Sequence, residues 1–440
     1  MMEWYWAAAI LIGGILFFLA TGMPVAFAFF TVNVIGVLLF MGGTIGVDQF
    51  VANATTSITN FSLVPIPLFL LMGELFFHTG LALRVFDALD KCFGGVRGRL
   101  SYLTVVGGTI FATLSGSSMA NTAMLGTSMT PEMIKRGYKN YMITGPILAT
   151  GGLAMIIPPS TLAVLLGSLA RIDVGALLIA GLIPGIVLAA MFLLLIRLQI
   201  GLDPEAAPGY AAERASLGEI LVALLRDVTP MGLVIFSVIG LILLGWATPT
   251  ESAAFGVVAV TVLAFGFRVM SREALIKSLR GTLTVSGMML MIILGSTTFS
   301  QILAFSGASG GLITWASGFG IDPYMMLLVM LLVLIVLGMF MDQLSIMMLT
   351  LPIFMPLVSQ MGFNEIWFGV VMLLALELSL ATPPFGLLLF IMVGVGPPGT
   401  TIGEVARAAA PYIACTLVLI LLLVLFPDLA LWLPDQAYGN

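Results

Sequence analysis

Long apolar runs, interrupted at a few polar places, dominate this chain of 440 residues. A bilayer crossing needs about 20 apolar residues. The runs therefore predict crossings near 5–22, 24–46, 63–80, 141–168, 175–198, 229–247, 253–270, 282–305, 366–395 and 408–427. Two further segments, about 101–131 and 325–356, are apolar in part but carry Ser, Thr, Gly, Asn or Asp and Pro at their middles. Each reads as a re-entrant helical hairpin, because backbone that leaves helical geometry at membrane depth is tolerated only where protein or a water-filled cavity satisfies it. An ordinary kinked crossing is the alternative for either segment alone, since Pro and Gly are common in membrane helices.

The second half repeats the interruptions of the first. Pro24 and Pro249 lie 225 residues apart, as do Pro158-Pro159 and Pro383-Pro384. Asn121 pairs with Asp342 and Pro131 with Pro352 at 221, and Pro184 with Pro411 at 227. Two copies are expected, 1–200 and 228–440, each with five crossings and one hairpin, the broken helices being about 141–168 and 366–395. Five is an odd number, so a linker that does not cross leaves the second copy inverted, the design of many secondary transporters. That linker, 201–227, is the least apolar stretch, and Leu217, Ile220, Leu221, Leu224 and Leu225 at helical spacing predict an amphipathic interfacial helix within it. Leu81–Phe93 has the same character and reads either as a hinge arm or as a static surface helix.

Composition fixes the class as an all-α polytopic membrane protein, with 60% hydrophobic and 8% charged residues, against about a quarter charged in soluble domains. Cytoplasmic loops collect Lys and Arg. With both termini placed outside, in the periplasm, 15 of the 16 basic residues fall on inner loops and Arg171 alone falls outside. The net charge of −5 hides this polarity and argues for no nucleic-acid partner. The start MMEWYW lacks the basic region of a cleavable signal, so the first helix is expected to stay. Cys92 and Cys415 make no disulfide framework, and His78, the single histidine, reads as a capping or snorkelling residue. One histidine and scattered acids supply neither a metal cluster nor a catalytic set, so no enzyme and no cofactor are expected. Glu74 and Glu377 are the acids within spans; Glu377 either orients the Thr382-Pro383-Pro384 loop or is a hydrogen-bonded structural acid.

The polar breaks supply oxygen. A sodium ion takes several carbonyl and hydroxyl oxygens, which unwound backbone beside Ser, Thr or Asn offers, while exposed half-helix N-termini favour an anion. The chain moreover resembles the large membrane subunit of tripartite ATP-independent periplasmic (TRAP) transporters nearly throughout. The resemblance rests on SGSSMANTAMLG (115–126), PEMIKRGY (131–138), IIPPSTLAVLLGSLARIDVGALLIAGLIPG (156–185), ATPTESAAFG (247–256), GMFMDQLSIMMLTLPIFMP (338–356) and LATPPFGLLLF (380–390).

The resemblance implies an elevator-type importer in the bacterial inner membrane with scaffold and transport domains, using a sodium gradient. It also implies a small membrane subunit, a periplasmic substrate-binding protein and a small carboxylate substrate. Ion and substrate roles carry over to Ser115, Gly116, Ser117, Ser118, Asn121, Pro158, Pro159 and Ser160 in the first half. In the second they carry over to Gly338, Asp342, Gln343, Ser345, Thr382, Pro383 and Pro384. The chain departs from the common pattern at Asn121, where Asp or another small residue is frequent, and at Gln343-Leu344-Ser345, where Pro-Thr-Ala is usual. A stand-alone dicarboxylate or citrate carrier, sodium- or proton-coupled, is the alternative expectation.

Overall fold

Interrupted apolar sequence gives a bundle of interrupted helices. The computed structural model describes residues 3–209, 216–318, 320–383 and 386–439, and its regular elements are helical. The first half runs α1 (Trp4–Ala20), α2 (Val25–Phe40), α3 (Thr44–Ile58), α4 (Pro65–His78), α5 (Leu81–Phe93), α6 (Arg99–Ser115), α7 (Ser118–Lys135), α8 (Asn140–Ile156), α9 (Thr161–Ala170), α10 (Val174–Ala180) and α11 (Leu182–Leu202). The second runs α12 (Leu217–Ala223), α13 (Thr229–Leu243), α14 (Pro249–Gly266), α15 (Arg272–Phe305), α16 (Ala308–Gly318), α17 (Pro323–Gly338), α18 (Gln343–Gln360), α19 (Glu365–Leu380), α20 (Leu387–Val395), α21 (Ile402–Leu425) and α22 (Asp428–Tyr438).

Eight helical stretches among the described residues are long and apolar enough to cross a membrane, where the sequence predicts ten crossings. α1 and α2 fall short with 17 and 16 residues, and the break after Leu380 divides 366–395 into two shorter helices. Conversely α18, half of an expected hairpin, is long enough to cross. The predicted crossing 24–46 ends early because Gly42 and Gly43 take φ of +76° and +68°, conformations open to glycine that turn the chain into the separate helix α3. The expected interfacial helix is not separate either: it opens with a Ser216/Glu219 capping box and continues through a π-helical turn, Leu224–Val228, into α13.

Several helix starts of the first half recur 225 residues later. The starts of α1 and α13, Trp4 and Thr229, differ by that number, as do those of α7 and α18, Ser118 and Gln343, and those of α8 and α19, Asn140 and Glu365. This corrects two sequence pairings. Asp342 caps α18 as Ser117 caps α7, so its counterpart is Ser117 rather than Asn121. Likewise Pro131 and Pro356 each stand fourteenth in their helices, so Pro352 is not the partner.

The broken helices hold the centre. α8 is buried from Met142 to Ile156 and α19 from Trp367 to Leu380. Outer helices show apolar side chains to the surroundings, Phe236 at 73% and Leu283 at 72% exposure, as lipid-facing positions do. The halves interlock: the Asn33 amide of α2 donates to the Gly295 carbonyl of α15 at 2.6 Å, and Gly256 of α14 lies against Met72 of α4.

The linker 201–227 packs against the rest of the chain at both ends. Its start is clamped: Lys139 Nζ and the Tyr141 hydroxyl reach Asp203 at 2.6 and 3.0 Å, Lys139 N–H donates to the Ala206 carbonyl, and Ala206 and Ala207 are fully buried. The Lys139 hydrogen bond, then that of Tyr141, holds the Asp203 carboxyl below its ordinary range. Its end is clamped by Arg84 of α5, which donates to Asp227 Oδ1 from Nε and Nη2 and lies 4.4 Å from the Phe267 ring centre. Residues 210–215 of that region lie outside the described residues. His78 stands in the last turn of α4, its Nε2 3.1 Å from Glu74 Oε2 on the same helix.

Candidate functional site

The first break follows from Gly116, whose φ of +59° ends α6 and whose missing Cβ would lie 2.7 Å from Thr161 Oγ1. Backbone therefore touches backbone between the α6–α7 tip and the α8–α9 break, where Pro158-Pro159, joined by a cis peptide bond, interrupts the helix. Ser117 and Ser160 restart the helices as N-caps, accepting from Ala120 N–H and Ala163 N–H. The Asn121 amide donates to the Thr150 carbonyl of α8 at 2.8 Å. Among the described residues, Asn121 Oδ1, Thr122 Oγ1 and Thr161 Oγ1 are buried without a hydrogen-bond partner. Such atoms cost free energy unless something polar meets them. Pro158 and Pro159 line a small apolar pocket with Leu178, Ile179 and Ile242. The side chain of Ser115 lies outside the described residues.

The second break repeats this chemistry with different residues. Asp342 accepts from Leu344 and Ser345 N–H at 3.1 and 3.3 Å and from the Ser345 hydroxyl. A Cβ on Gly338 would lie 1.9 Å from Ser379 Oγ, so α17 meets α19 as closely as backbone allows. Thr382 donates to the Leu378 carbonyl at 2.6 Å and closes the end of α19. Pro383 follows it; Pro384 lies outside the described residues.

The two hairpin tips meet at one atom. Ser118 Oγ and Gln343 Nε2, the first residues of α7 and α18, both donate to Glu377 Oε2, at 2.8 and 2.9 Å. The carboxylate is buried, 7% exposed, and Gly152 makes room for it, since a Cβ there would lie 2.9 Å from Glu377 Cγ. An acid facing the N-terminal ends of two helices is favoured by their dipoles as well as by the hydrogen bonds. Of the two sequence readings of Glu377, the hydrogen-bonded structural acid agrees with these bonds, while the partners Ser118 and Gln343 were not foreseen. The offset of 225 was the signal, because it sets Ser118 over Gln343.

The chain matches, over residues 12–429, the family model described as the DctM component of the tripartite ATP-independent periplasmic transporter. It is 33% identical over 379 residues to the C4-dicarboxylate TRAP transporter large permease protein DctM of Pseudomonas aeruginosa, covering 86% of this chain and 87% of that one. It is 27% identical over 430 residues to the sialic acid TRAP transporter large permease protein SiaM of Vibrio cholerae, covering 97% of each. Among solved structures it is similar in fold to the Alcanivorax borkumensis YdaH transporter, with a TM-score of 0.59, 15% identity, and coverage of 91% of this chain and 90% of that one. The chain belongs to the DctM-component family of tripartite ATP-independent periplasmic transporters, as a multi-pass permease subunit of the inner membrane.

Proposed function

We propose that this subunit imports a small organic acid, coupled to sodium, by an elevator movement of an inverted repeat. The observation that carries the reading is the convergence of two matched hairpin tips on Glu377, together with buried oxygens that have no partner among the described residues. Sodium fits that donor set. Asn121 Oδ1, Thr122 Oγ1 and Thr161 Oγ1 are neutral oxygens, and Thr161 lies beside the left-handed Gly116. These residues would hold the ion in the first half, and the Asp342–Ser345 cap and Thr382 are their counterparts in the second. The bound ion supplies positive charge beside which an anion can sit without a basic side chain in the tips.

The helix positions that recur at 225 residues support the repeat, and the odd number of crossings expected from the sequence in each copy supports its inversion. The substrate named for the Pseudomonas relative and that named for the Vibrio relative are both acids, which supports an acid as cargo. A small membrane subunit and a periplasmic binding protein complete the three-part assembly, the latter handing substrate to this chain. Each net positive charge carried inward contributes about 2.3 kcal/mol per 100 mV.

Thermal unfolding of the purified subunit in sodium, potassium and choline at matched ionic strength tests the site. A ligand that binds only the folded state adds about 2.7 kcal/mol at a hundred times its Kd. A saturable rise in Tm is expected in sodium alone, and Thr161→Val should remove most of it. Equal melting in all three salts would overturn the ion assignment.

A further inference from the structure

A cavity of about 360 Å³ lies between the start of α8, the last turn of α11 and the start of α21. Three of the stretches long and apolar enough to cross a membrane begin or end there, Asn140–Ala170, Val174–Leu202 and Ile402–Leu425. The cavity is therefore at the depth of the polar headgroup layer rather than of the hydrocarbon. Its polar lining is Asn140, Tyr141, Gln199, Glu404 and Arg407, and its apolar lining is Ala408 and Pro411.

Each polar group there has part of its capacity engaged and part open. The Asn140 amide donates to Thr400 Oγ1 at 3.0 Å, while its Oδ1 is buried with no partner among the described residues. The Tyr141 hydroxyl donates to Asp203 Oδ2 at 3.0 Å, so it offers a lone pair. Glu404 Oε2 accepts from the Thr401 N–H at 2.9 Å, which uses one of about four lone-pair sites on a carboxylate. Gln199 Oε1 accepts from the Tyr412 hydroxyl at 3.3 Å, which leaves its amide N–H groups as donors. Arg407 donates from Nε to the Gly403 carbonyl at 3.3 Å, which leaves both Nη groups. Lys139 and Asp203 nearby are paired with each other. The charges that line the cavity are thus one guanidinium and one carboxylate. A simple anion would face Glu404, and a simple cation would face Arg407. A ligand that satisfies both carries an anionic group and a cationic group that still has N–H donors.

We propose that this cavity holds the headgroup of an aminophospholipid, with Arg407 and Gln199 taking phosphate oxygens and Asn140, Tyr141 and Glu404 taking the ammonium. A guanidinium matches a phosphate with two parallel hydrogen bonds, and a primary ammonium has three donors for the three acceptors. The bilayer is the source rather than a dissolved phosphate ester. The cavity lies at the ends of spans, and Leu198 and Leu202, on either side of Gln199 in the last turns of α11, are exposed apolar residues along which acyl chains can run. A lipid so held would brace three helix ends, two from the first half and one from the second. This inference is independent of the import reading.

The test titrates phosphatidylethanolamine, phosphatidylcholine and phosphatidylglycerol of identical acyl chains, and soluble glycerophosphoethanolamine, against the purified subunit in detergent. Bound lipid is counted by native mass spectrometry, and Tm is read in parallel. Phosphatidylcholine keeps both charges but loses the N–H donors, and phosphatidylglycerol loses the cation. Saturable binding of phosphatidylethanolamine with a rise in Tm is expected, the other two lipids being about tenfold weaker or more. Glu404→Gln keeps an oxygen to cap α21 and should remove most of the preference for the ethanolamine over the glycerol headgroup. Arg407→Gln should instead weaken all three lipids, by about tenfold or more. Equal binding of the three lipids by the wild type, an unchanged preference in Glu404→Gln, unchanged affinities in Arg407→Gln, or no lipid binding at all would overturn the inference. Glycerophosphoethanolamine binding as tightly as the whole lipid would overturn the bilayer as its source.

Discussion

Gly338→Ala is expected to cut uptake by about tenfold or more and to lower Tm, although it adds a single methyl group. The added Cβ would lie 1.9 Å from Ser379 Oγ, inside any van der Waals contact. Ser379 is poorly placed to yield, because its hydroxyl donates to the Leu376 carbonyl at 2.6 Å and the residue is fully buried. Overpacking of this kind costs about 1–3 kcal/mol, and here the strain falls where α17 must pass α19 just before the Asp342 cap. Ser379→Gly removes the obstructing atoms, so the double variant should recover much of the loss, with a coupling of about 0.5–3 kcal/mol in a double-mutant cycle. Unchanged melting and uptake in Gly338→Ala would show that the two helices do not meet as closely as described.

The second large effect concerns Glu377. Glu377→Leu preserves apolar bulk but strips the acceptor from Ser118 and Gln343 together, leaving two buried donors at a cost of about 1–3 kcal/mol each. Glu377→Gln keeps an oxygen acceptor and should be milder. Uptake is expected to fall at least about a hundredfold in the leucine variant. Faster hydrogen exchange is expected at the amides of 117–121 and 342–346, read by mass spectrometry. If exchange at the two tips stayed at wild-type rates, Glu377 would not be what joins them.

The paired breaks were legible in the sequence because polar residues and prolines stand out against apolar runs, and because Gly116, the Pro158-Pro159 pair and Gly338 mark backbone that cannot continue as helix. The register of the repeat was less legible. Asn121 and Asp342 look alike as residue types, but one lies inside a helix turn and the other at a cap; only the backbone separates those roles. Glu377 was visible as an intramembrane acid, yet its partners lie 259 and 34 residues away, and no local pattern encodes such a meeting. The same holds for Arg84 and Asp227, 143 residues apart. Helix ends failed where competing signals were close: Gly42-Gly43 stopped α2 inside an apolar run, while the Ser216 cap led without interruption into α13.

The shared oxygen of Glu377 has a thermodynamic consequence. Ser118 and Gln343 hold the same atom, so a ligand that draws one donor away frees acceptor strength for the other, and the two tips cannot respond independently. Linkage is reciprocal: whatever occupancy of the first tip does to the affinity of the second, the second does to the first by the same factor. Sodium titrations should therefore depart from independent-site behaviour, with a Hill coefficient different from 1 that returns to 1 in Glu377→Leu if that variant still binds the ion. The two halves of the chain are in this way joined through one residue that only the second contributes.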